Sequence, residues 1–368
     1  MIITVLFYIF VATAIIQIIY YLCFSFFALT KESSIEKEKK IPISVIICAK
    51  NESVNIQKFL PSIINQKYPN FEIVLINDAS SDNTLEVMKN FQQQHKNIKI
   101  VNVKNIDPFL GNKKYALTLG IKASKNKHLL FTDADCKPAS KHWIKEMSYC
   151  FSTEKKIVLG YGKYKLIKAS FVNLLTRFET LLTAIQYFSY SKFKTPYMGV
   201  GRNLAYTKSL FYKIKGFNKH LKIKSGDDDL FIQQAANREN TIICTTANSF
   251  TISNAPKTFF EWFQQKRRHL STASHYKIQH QLLLGLFFLS KILFLGLIFP
   301  IFFLYPINNT LPLLFFYYLI QFIVIGFSAK KLQEKGLLFF LPFLDFFLTL
   351  FQFSIFIANS VSKPVHWK

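Results

Sequence analysis

The strongest constraint on this chain is where it lacks charge. No charged residue occurs from Met1 to Thr30, and from Leu282 to Ser362 only Lys291, Lys330, Lys331, Glu334, Lys335 and Asp345 interrupt the apolar run. A helix that crosses a bilayer needs about 20 apolar residues, so residues 1–30 are predicted to span. That segment is too long for a signal-peptide core, has no basic residues before it and shows no small-x-small cleavage site, which predicts a retained anchor. Three further spans are predicted at roughly 281–304, 311–328 and 337–360, within a membrane region of 281–361. A basic stalk at 31–40 leads into a water-soluble domain at 41–280, and residues 362–368 form a tail.

The 368 residues carry a formal net charge of +25. No helix-turn-helix, zinc-finger or RNA-binding motif accompanies that charge, so no nucleic-acid partner is expected. Lys31, Lys37, Lys39 and Lys40 follow the first span and nothing basic precedes it. The positive-inside rule then puts the N-terminus outside, the 31–280 domain in the cytosol and the loop with Lys330, Lys331 and Lys335 back on the cytosolic side. The expected location is the plasma membrane. Five dispersed cysteines form neither a disulfide framework nor a zinc site and suit a reducing compartment.

Residues 41–280 alternate short apolar runs with helical stretches, the pattern of an α/β domain. ISVIICA, FEIVLIND, NIKIVNV and HLLF read as buried parallel strands. Helices are predicted from about Ser53 to Gln66, Thr84 to His95 and Lys113 to Ser124. Ligands of such sheets bind at the carboxyl ends of the strands, and Asn51, Glu52, Asp78, Asp133 and Asp135 all fall there. Ser170–Lys192 is apolar but carries Arg177 and Glu179, each costing roughly 2.5–3.5 kcal/mol at a bilayer centre. It is expected to be a buried or interfacial helix.

Asp133-Ala134-Asp135 follows its strand directly. Two carboxylates one residue apart can converge on a hard cation with oxygen ligands, which would bridge a nucleotide diphosphate and neutralise the leaving group. The competing reading makes Asp135 the cap of a helix starting near Ala139. Asp227, Asp228 and Asp229 repel one another, so one pKa is expected to rise toward a catalytically useful value. Their competing reading is decoration of a helix N-terminus. In the membrane region, Lys291 and Asp345 lie at matched depths. They either pair or, respectively, snorkel and protonate.

PISVIICAKNE, VLINDASSDNT, KKYALTLGI, FTDAD, GVGRNLAY, SGDDDL and QQKRRH occur in this order. The series resembles the family 2 glycosyltransferases with a GT-A fold, membrane-bound types such as cellulose and hyaluronan synthases included, over about residues 41–275. The resemblance implies an inverting transfer from a nucleotide-sugar donor to a lipid or glycan acceptor, assisted by Mg2+ or Mn2+ held by Asp133 and Asp135. It places Ala49, Asn51 and Glu52 around the nucleotide, Asp78 at the base and Lys113 near the donor, with Asp133 touching donor and metal alike. Among Asp227, Asp228 and Asp229 it implies a general base, with Asp227 favoured and Asp228 the rival. Gln265-x-x-Arg268 is similar to the QxxRW motif of processive synthases, with Arg268 on the diphosphate. Asn77, Ala79 and Asn112 depart from the family pattern around the donor, and His269 replaces its tryptophan, which argues for few additions per encounter. A non-catalytic scaffold or sugar-nucleotide sensor that kept the fold is the alternative from another class. A transporter would need more spans.

Overall fold

A computed structural model of the chain describes residues 2–30, 40–104, 113–223 and 225–362. Apart from Lys40, the predicted stalk lies outside these residues, as do Asn112 and the tail beyond Ser362.

The chain opens with helix α1 (Ile2–Leu29) and then enters an alternation of β1 (Ile43–Ala49), α2 (Ser53–Ile64), β2 (Phe71–Asp78), α3 (Thr84–Gln94), β3 (Ile98–Val103), α4 (Lys113–Ala123) and β4 (His128–Phe131). These four strands are parallel, in the order β3-β2-β1-β4. β1 and β2 are buried on both faces, which is why their sequences are near-continuous apolar runs rather than alternating ones. α2 presents Ile56, Phe59, Leu60 and Ile63 to the sheet, one stripe at helical spacing.

Beyond β4 come β5 (Cys136–Pro138), α5 (Trp143–Tyr149), β6 (Ile157–Leu159), β7 (Gly162–Tyr164), α6 (Phe171–Lys192), β8 (Leu204–Thr207), α7 (Lys208–Lys213), α8 (Asp229–Ala235), β9 (Thr241–Ile243), β10 (Thr251–Ser253) and α9 (Phe259–Leu270). The main sheet continues through β8, β6 and β9, with β8 antiparallel to both neighbours. A small sheet of β5, β10 and β7 stands beside it. β1 lies between β2 and β4, so the chain order reverses there and a crevice opens at the strands' carboxyl ends. This is a GT-A architecture.

The chain then forms α10 (Ile278–Leu304), α11 (Ile307–Lys331) and α12 (Leu341–Val361). With α1, these are four helices long and apolar enough to cross a membrane. α1 packs lengthwise on α10 and α11. Phe10 stacks on Phe294 at 5.2 Å, and the Gln17 amide donates to the Phe287 carbonyl and the Ser290 hydroxyl, both at 2.8 Å. Lys331 donates to the carbonyls of Phe27 and Thr30, satisfying the end of α1 with a cation where the helix dipole is negative.

α6 does not cross. It lies between sheet and span bundle, with Phe188 stacked on Phe27 at 5.1 Å and the Tyr187 hydroxyl donating to the Gly160 carbonyl. Its Arg177 donates to Glu334 through Nε at 2.9 Å and Nη2 at 2.6 Å, and Tyr161 donates to the other Glu334 oxygen. The turn between α11 and α12 is therefore seated on the α/β domain. Both charges of that pair are buried, so removing either partner should cost about 3–5 kcal/mol.

Candidate active site

Two loops form one wall of the crevice. After β1 and the buried Ala49, Asn51 takes a left-handed φ of 57°. Its N–H donates to Ser80 Oγ at 3.0 Å while its side-chain oxygen accepts from the Ser81 N–H at 2.8 Å. The Glu52 N–H donates to Thr84 Oγ1 at 2.8 Å and that of Ser53 to Asp82 at 3.2 Å. The loop after β1 is thus stitched to the loop after β2, which holds Asn51, Glu52 and Asp78 in one relative position. Asn77 reaches sideways to Asn102 on β3, at 2.7 Å, instead of into the crevice. Ala79 has φ 48°, a conformation that glycine adopts with less strain.

Asp78 ends β2. Burial pushes its carboxyl above the usual range, and Lys50 and Lys113 pull it back. Glu52 is likewise pushed up by burial and further by Asp135 and Asp133, with Asn55 opposing through a hydrogen bond. Asp133 and Asp135 lie on the turn between β4 and β5. Their oxygens and the Cys136 thiol fall within 4.8 Å of one another. Burial and the Asp133 charge raise the Asp135 carboxyl, and its close protein donor is the weak Cys136 S–H at 3.4 Å. α5 starts at Trp143 with His142 as its cap, so Asp135 caps no helix. Two crowded carboxylates on one turn suit a hard divalent cation.

The opposite wall holds the aspartate run. Gly226, at φ 90°, turns the chain into it, and a Cβ there would collide with Leu230. The three carboxylates diverge. Asp227 Oδ2 is 3.1 Å from Lys113 Nζ, which also lies 3.0 Å from Asp133 Oδ1. Burial works to raise Asp227, but Lys113 outweighs it and the carboxyl ends below the usual range. Asp228 lines the crevice beside Lys113 and Asp133, and accepts from the N–H groups of Gly201 at 2.7 Å and Asp229 at 2.8 Å. Burial and the charges of Asp227 and Asp229 push it up to about 7. Asp229 turns away: it accepts from Thr272, from Tyr276 at 2.7 Å and from the Leu230 N–H. Asp228 both caps α8 and faces the crevice with Asp227, while Asp229 serves the helix terminus alone.

Lys114 stands back to back with Lys113. Its buried ammonium donates to the carbonyls of His220, Ile223 and Ser225 at 2.7–2.9 Å, pinning the segment that leads into Gly226. Burial lowers its pKa to about 8. The sequence shows two adjacent lysines but not that one is structural.

Arg202, in the GVGRNLAY stretch, received no role from the sequence. Its guanidinium lies 4.3 Å over the Tyr164 ring and donates to Ser253 Oγ at 2.9 Å. Burial opposes its charge, but Tyr164, Cys136 and Asp135 more than compensate, so it stays fully charged. Gly162 makes room for it, since a Cβ there would sit 2.4 Å from Arg202 Nε. Gln265, on α9, donates to the Tyr164 hydroxyl at 3.5 Å, and Arg268 shares that helix face three residues on. Arg267 points the other way, to α12. Lys266 pairs with Glu179 of α6 at 2.6 Å and fixes α9 to the domain. His269 is exposed.

A family model described as glycosyl transferase family 2 matches residues 44–214, and one described as glycosyl transferase family group 2 matches residues 156–330. The chain belongs to the family 2 glycosyltransferases. It is 30% identical over 241 residues to the probable glycosyltransferase YdaM of Bacillus subtilis, covering 63% of this chain and 56% of YdaM. It is 37% identical over 93 residues to a poly-beta-1,6-N-acetyl-D-glucosamine synthase of Staphylococcus epidermidis, covering 25% of this chain and 21% of the synthase. The matches thus span about half or less of these relatives. Among solved structures, the mannosyltransferase PcManGT from Pyrobaculum calidifontis, in complex with GDP-Man and Mn2+, superposes with a TM-score of 0.59 at 15% identity. It covers 91% of this chain and 100% of that one, a likeness of fold.

Proposed function

We propose that this chain is a membrane-bound enzyme that transfers a sugar from a nucleotide-sugar donor to a hydroxyl of a lipid-linked or glycan acceptor, with inversion and with a divalent metal. The observation that carries this reading is the ammonium of Lys113 between Asp133 and Asp227, which joins the metal-type carboxylates and the base-type carboxylates in one crevice. Asp133 and Asp135 would hold Mg2+ or Mn2+, which supplies charge neutralisation at a diphosphate leaving group. PcManGT, with its GDP-Man and Mn2+, makes such a metal a natural candidate. Ala49, Asn51, Glu52 and Asp78 surround the base and ribose, while Gln265, Arg268 and Arg202 offer hydrogen bonds and positive charge to the diphosphate.

A single displacement needs a base on the acceptor hydroxyl, and bases work best with a pKa near the operating pH. Counting along the sequence favours Asp227, but its ion pair with Lys113 weakens it as a proton acceptor. Asp228, pushed up to about 7 and facing the crevice, is the better base. Asp227 then positions Lys113, and Asp229 anchors the approach to α10.

The domain would be cytosolic at the plasma membrane. Lys330 and Lys331 at the end of α11 and Lys335 beyond it sit on the same side of the spans as the catalytic domain, as the positive-inside rule requires. Residues 41–280 would form the catalytic domain, flanked by membrane segments. Purified protein incubated with a panel of nucleotide sugars and Mn2+ or Mg2+ tests the proposal. Nucleotide release with at least one donor, abolished by a chelator, is expected; hydrolysis or transfer with none of them would contradict it.

A further inference from the structure

By length and apolarity α12 matches the other three long helices, but its contacts differ in kind. α1 packs lengthwise along both α10 and α11, which meet each other little. On α1, Phe7, Phe10, Gln17 and Tyr20 meet Tyr305, Phe294, Ser290 and Leu283 in antiparallel sequence. α12 instead touches the catalytic domain from end to end. Just before it, Glu334 is clasped by Arg177 of α6. Phe343 and Phe347 each meet Phe171 at 5.8 Å. Phe351 stacks on Trp262 of α9 at 3.8 Å, nearly parallel at 12°. At the last turn Arg267 of α9 donates to Asn359 Oδ1 at 2.9 Å and to the Ser362 carbonyl at 2.6 Å.

A helix of this length runs about 31 Å at 1.5 Å per residue, the thickness of a hydrocarbon core. One that crossed would carry its far end that distance away from the domain it started beside. α12 brings its far end back to α9, which Lys266–Glu179 and Gln265–Tyr164 fix to the domain. Its polar contacts with the span bundle converge at one point, Asp345, which meets Lys291 of α10 and Tyr317 of α11. That is the pattern of a helix laid across the bundle.

The two faces of α12 agree with this. Leu341, Leu344, Asp345, Leu348 and Ile355 are buried against protein. Phe343, Phe347, Leu350, Phe353 and Phe356 form an exposed apolar face along its whole length, and Phe259 and Phe260 of α9 extend it. An apolar aromatic strip of that size needs a non-aqueous partner. The lengthwise spans beside it, and the lysines at the catalytic-side end of α11, place that partner as membrane lipid.

We infer that α12 lies along the membrane-facing side of the catalytic domain without crossing, that its exposed face docks on the bilayer, and that the chain leaves α12 at Ser362 on the catalytic-domain side. This replaces the third C-terminal span expected at 337–360. One consequence is that α9, with Gln265 and Arg268, is braced between the crevice and the lipid, so the mouth beside α9 faces the membrane.

The test compares three full-length forms in intact and permeabilised cells, each labelled with a membrane-impermeant maleimide above the background of the unsubstituted chain. One carries a cysteine added after Lys368, one Lys335→Cys in the turn seated on the catalytic domain, and one Asn308→Cys near the start of α11. The added C-terminal cysteine is expected to follow Lys335→Cys; labelling like Asn308→Cys would overturn the inference. A second measurement uses Phe343→Cys, Leu350→Cys and Ile357→Cys with a fluorophore, in vesicles of phosphatidylethanolamine and phosphatidylglycerol carrying nitroxide lipids. Quenching at one common depth is expected. Depths stepping by about 10 Å between successive positions, as a crossing helix requires, would overturn it equally.

Discussion

Lys113 Nζ and Asp227 Oδ2 lie 3.1 Å apart, and through this contact the aspartate run leading into α8 is tied to the metal-type pair after β4. The lysine neutralises one carboxylate from each cluster. The remaining carboxylates, Asp135, Asp228 and Asp229, all have raised pKa values, and of these Asp229 is turned away into Thr272 and Tyr276. Charge-assisted bonds of this kind are worth about 1.5–3 kcal/mol each. Lys113→Met should therefore lower donor affinity by tenfold or more and turnover further, while Lys113→Arg should recover part of the affinity. Calorimetric titration of the nucleotide diphosphate checks the first effect and steady-state kinetics the second.

The raised pKa of Asp228 predicts an acid limb. A general base must be deprotonated, so kcat/KM should fall tenfold per pH unit below an apparent pKa near 7. Stability should move the opposite way. The folded state holds a proton on Asp228 up to about pH 7, where an unfolded aspartate loses it near 4. The stabilisation from protonation is thus complete below about pH 4 and is lost as pH rises through 7. Asp228→Asn should remove this dependence, giving a variant more stable than the native chain at pH 8 yet inactive at every pH. Thermal unfolding across pH 5–8 measures it.

Among the long apolar helices, Lys291 and Asp345 form a direct ion pair, completed by Tyr21 and Tyr317, with Gln321 bonded to both tyrosines. Of the two readings open to the sequence, pairing is the one the structure shows. Lys291→Met or Asp345→Leu alone should each destabilise by about 3–5 kcal/mol by leaving a buried charge unpaired. The double substitution should recover most of that loss, a coupling that unfolding in detergent would reveal. Simple additivity would show that the two side chains do not interact.

Arg202→Lys should weaken diphosphate binding although the charge is kept. The stack on Tyr164 and the bond to Ser253 use the planar guanidinium, which an ammonium does not reproduce. A KM increase with little change in kcat is expected. An unchanged KM would remove Arg202 from the donor site.

Much of this architecture was legible because β1, β2 and β4 are buried and so read as unbroken apolar runs, whereas β3, expected to be buried like them, is the edge strand and exposes Lys99 and Asn102. The same period places Asn51, Asp78 and Asp133 at strand ends. Arg202 was not legible, since its partners Tyr164 and Ser253 are far away in sequence and meet only through the small β5-β10-β7 sheet. The parting of Asp227 from Asp228 was hidden for a similar reason: Lys113, 114 residues earlier, decides which carboxylate is neutralised. α12 is the element whose sequence says least about its direction. Its length and composition are those of a span, and its contacts with Phe171, Trp262 and Arg267, on which the inference about its course rests, are legible only in the structure. The exposed His269 leaves the expectation of few additions per encounter to product analysis.

The account stands on two carboxylate clusters with separate work, and one measurement reaches it directly. Donor affinity by calorimetry, with and without Mn2+, and nucleotide release on adding acceptor are compared for Asp135→Asn and Asp228→Asn. Asp135→Asn should lose both the metal-dependent part of donor binding and turnover. Asp228→Asn should bind donor nearly as the native chain does and release no nucleotide, because a base acts in the transition state. Equal loss of donor affinity in both variants, or turnover surviving in Asp228→Asn, would contradict it.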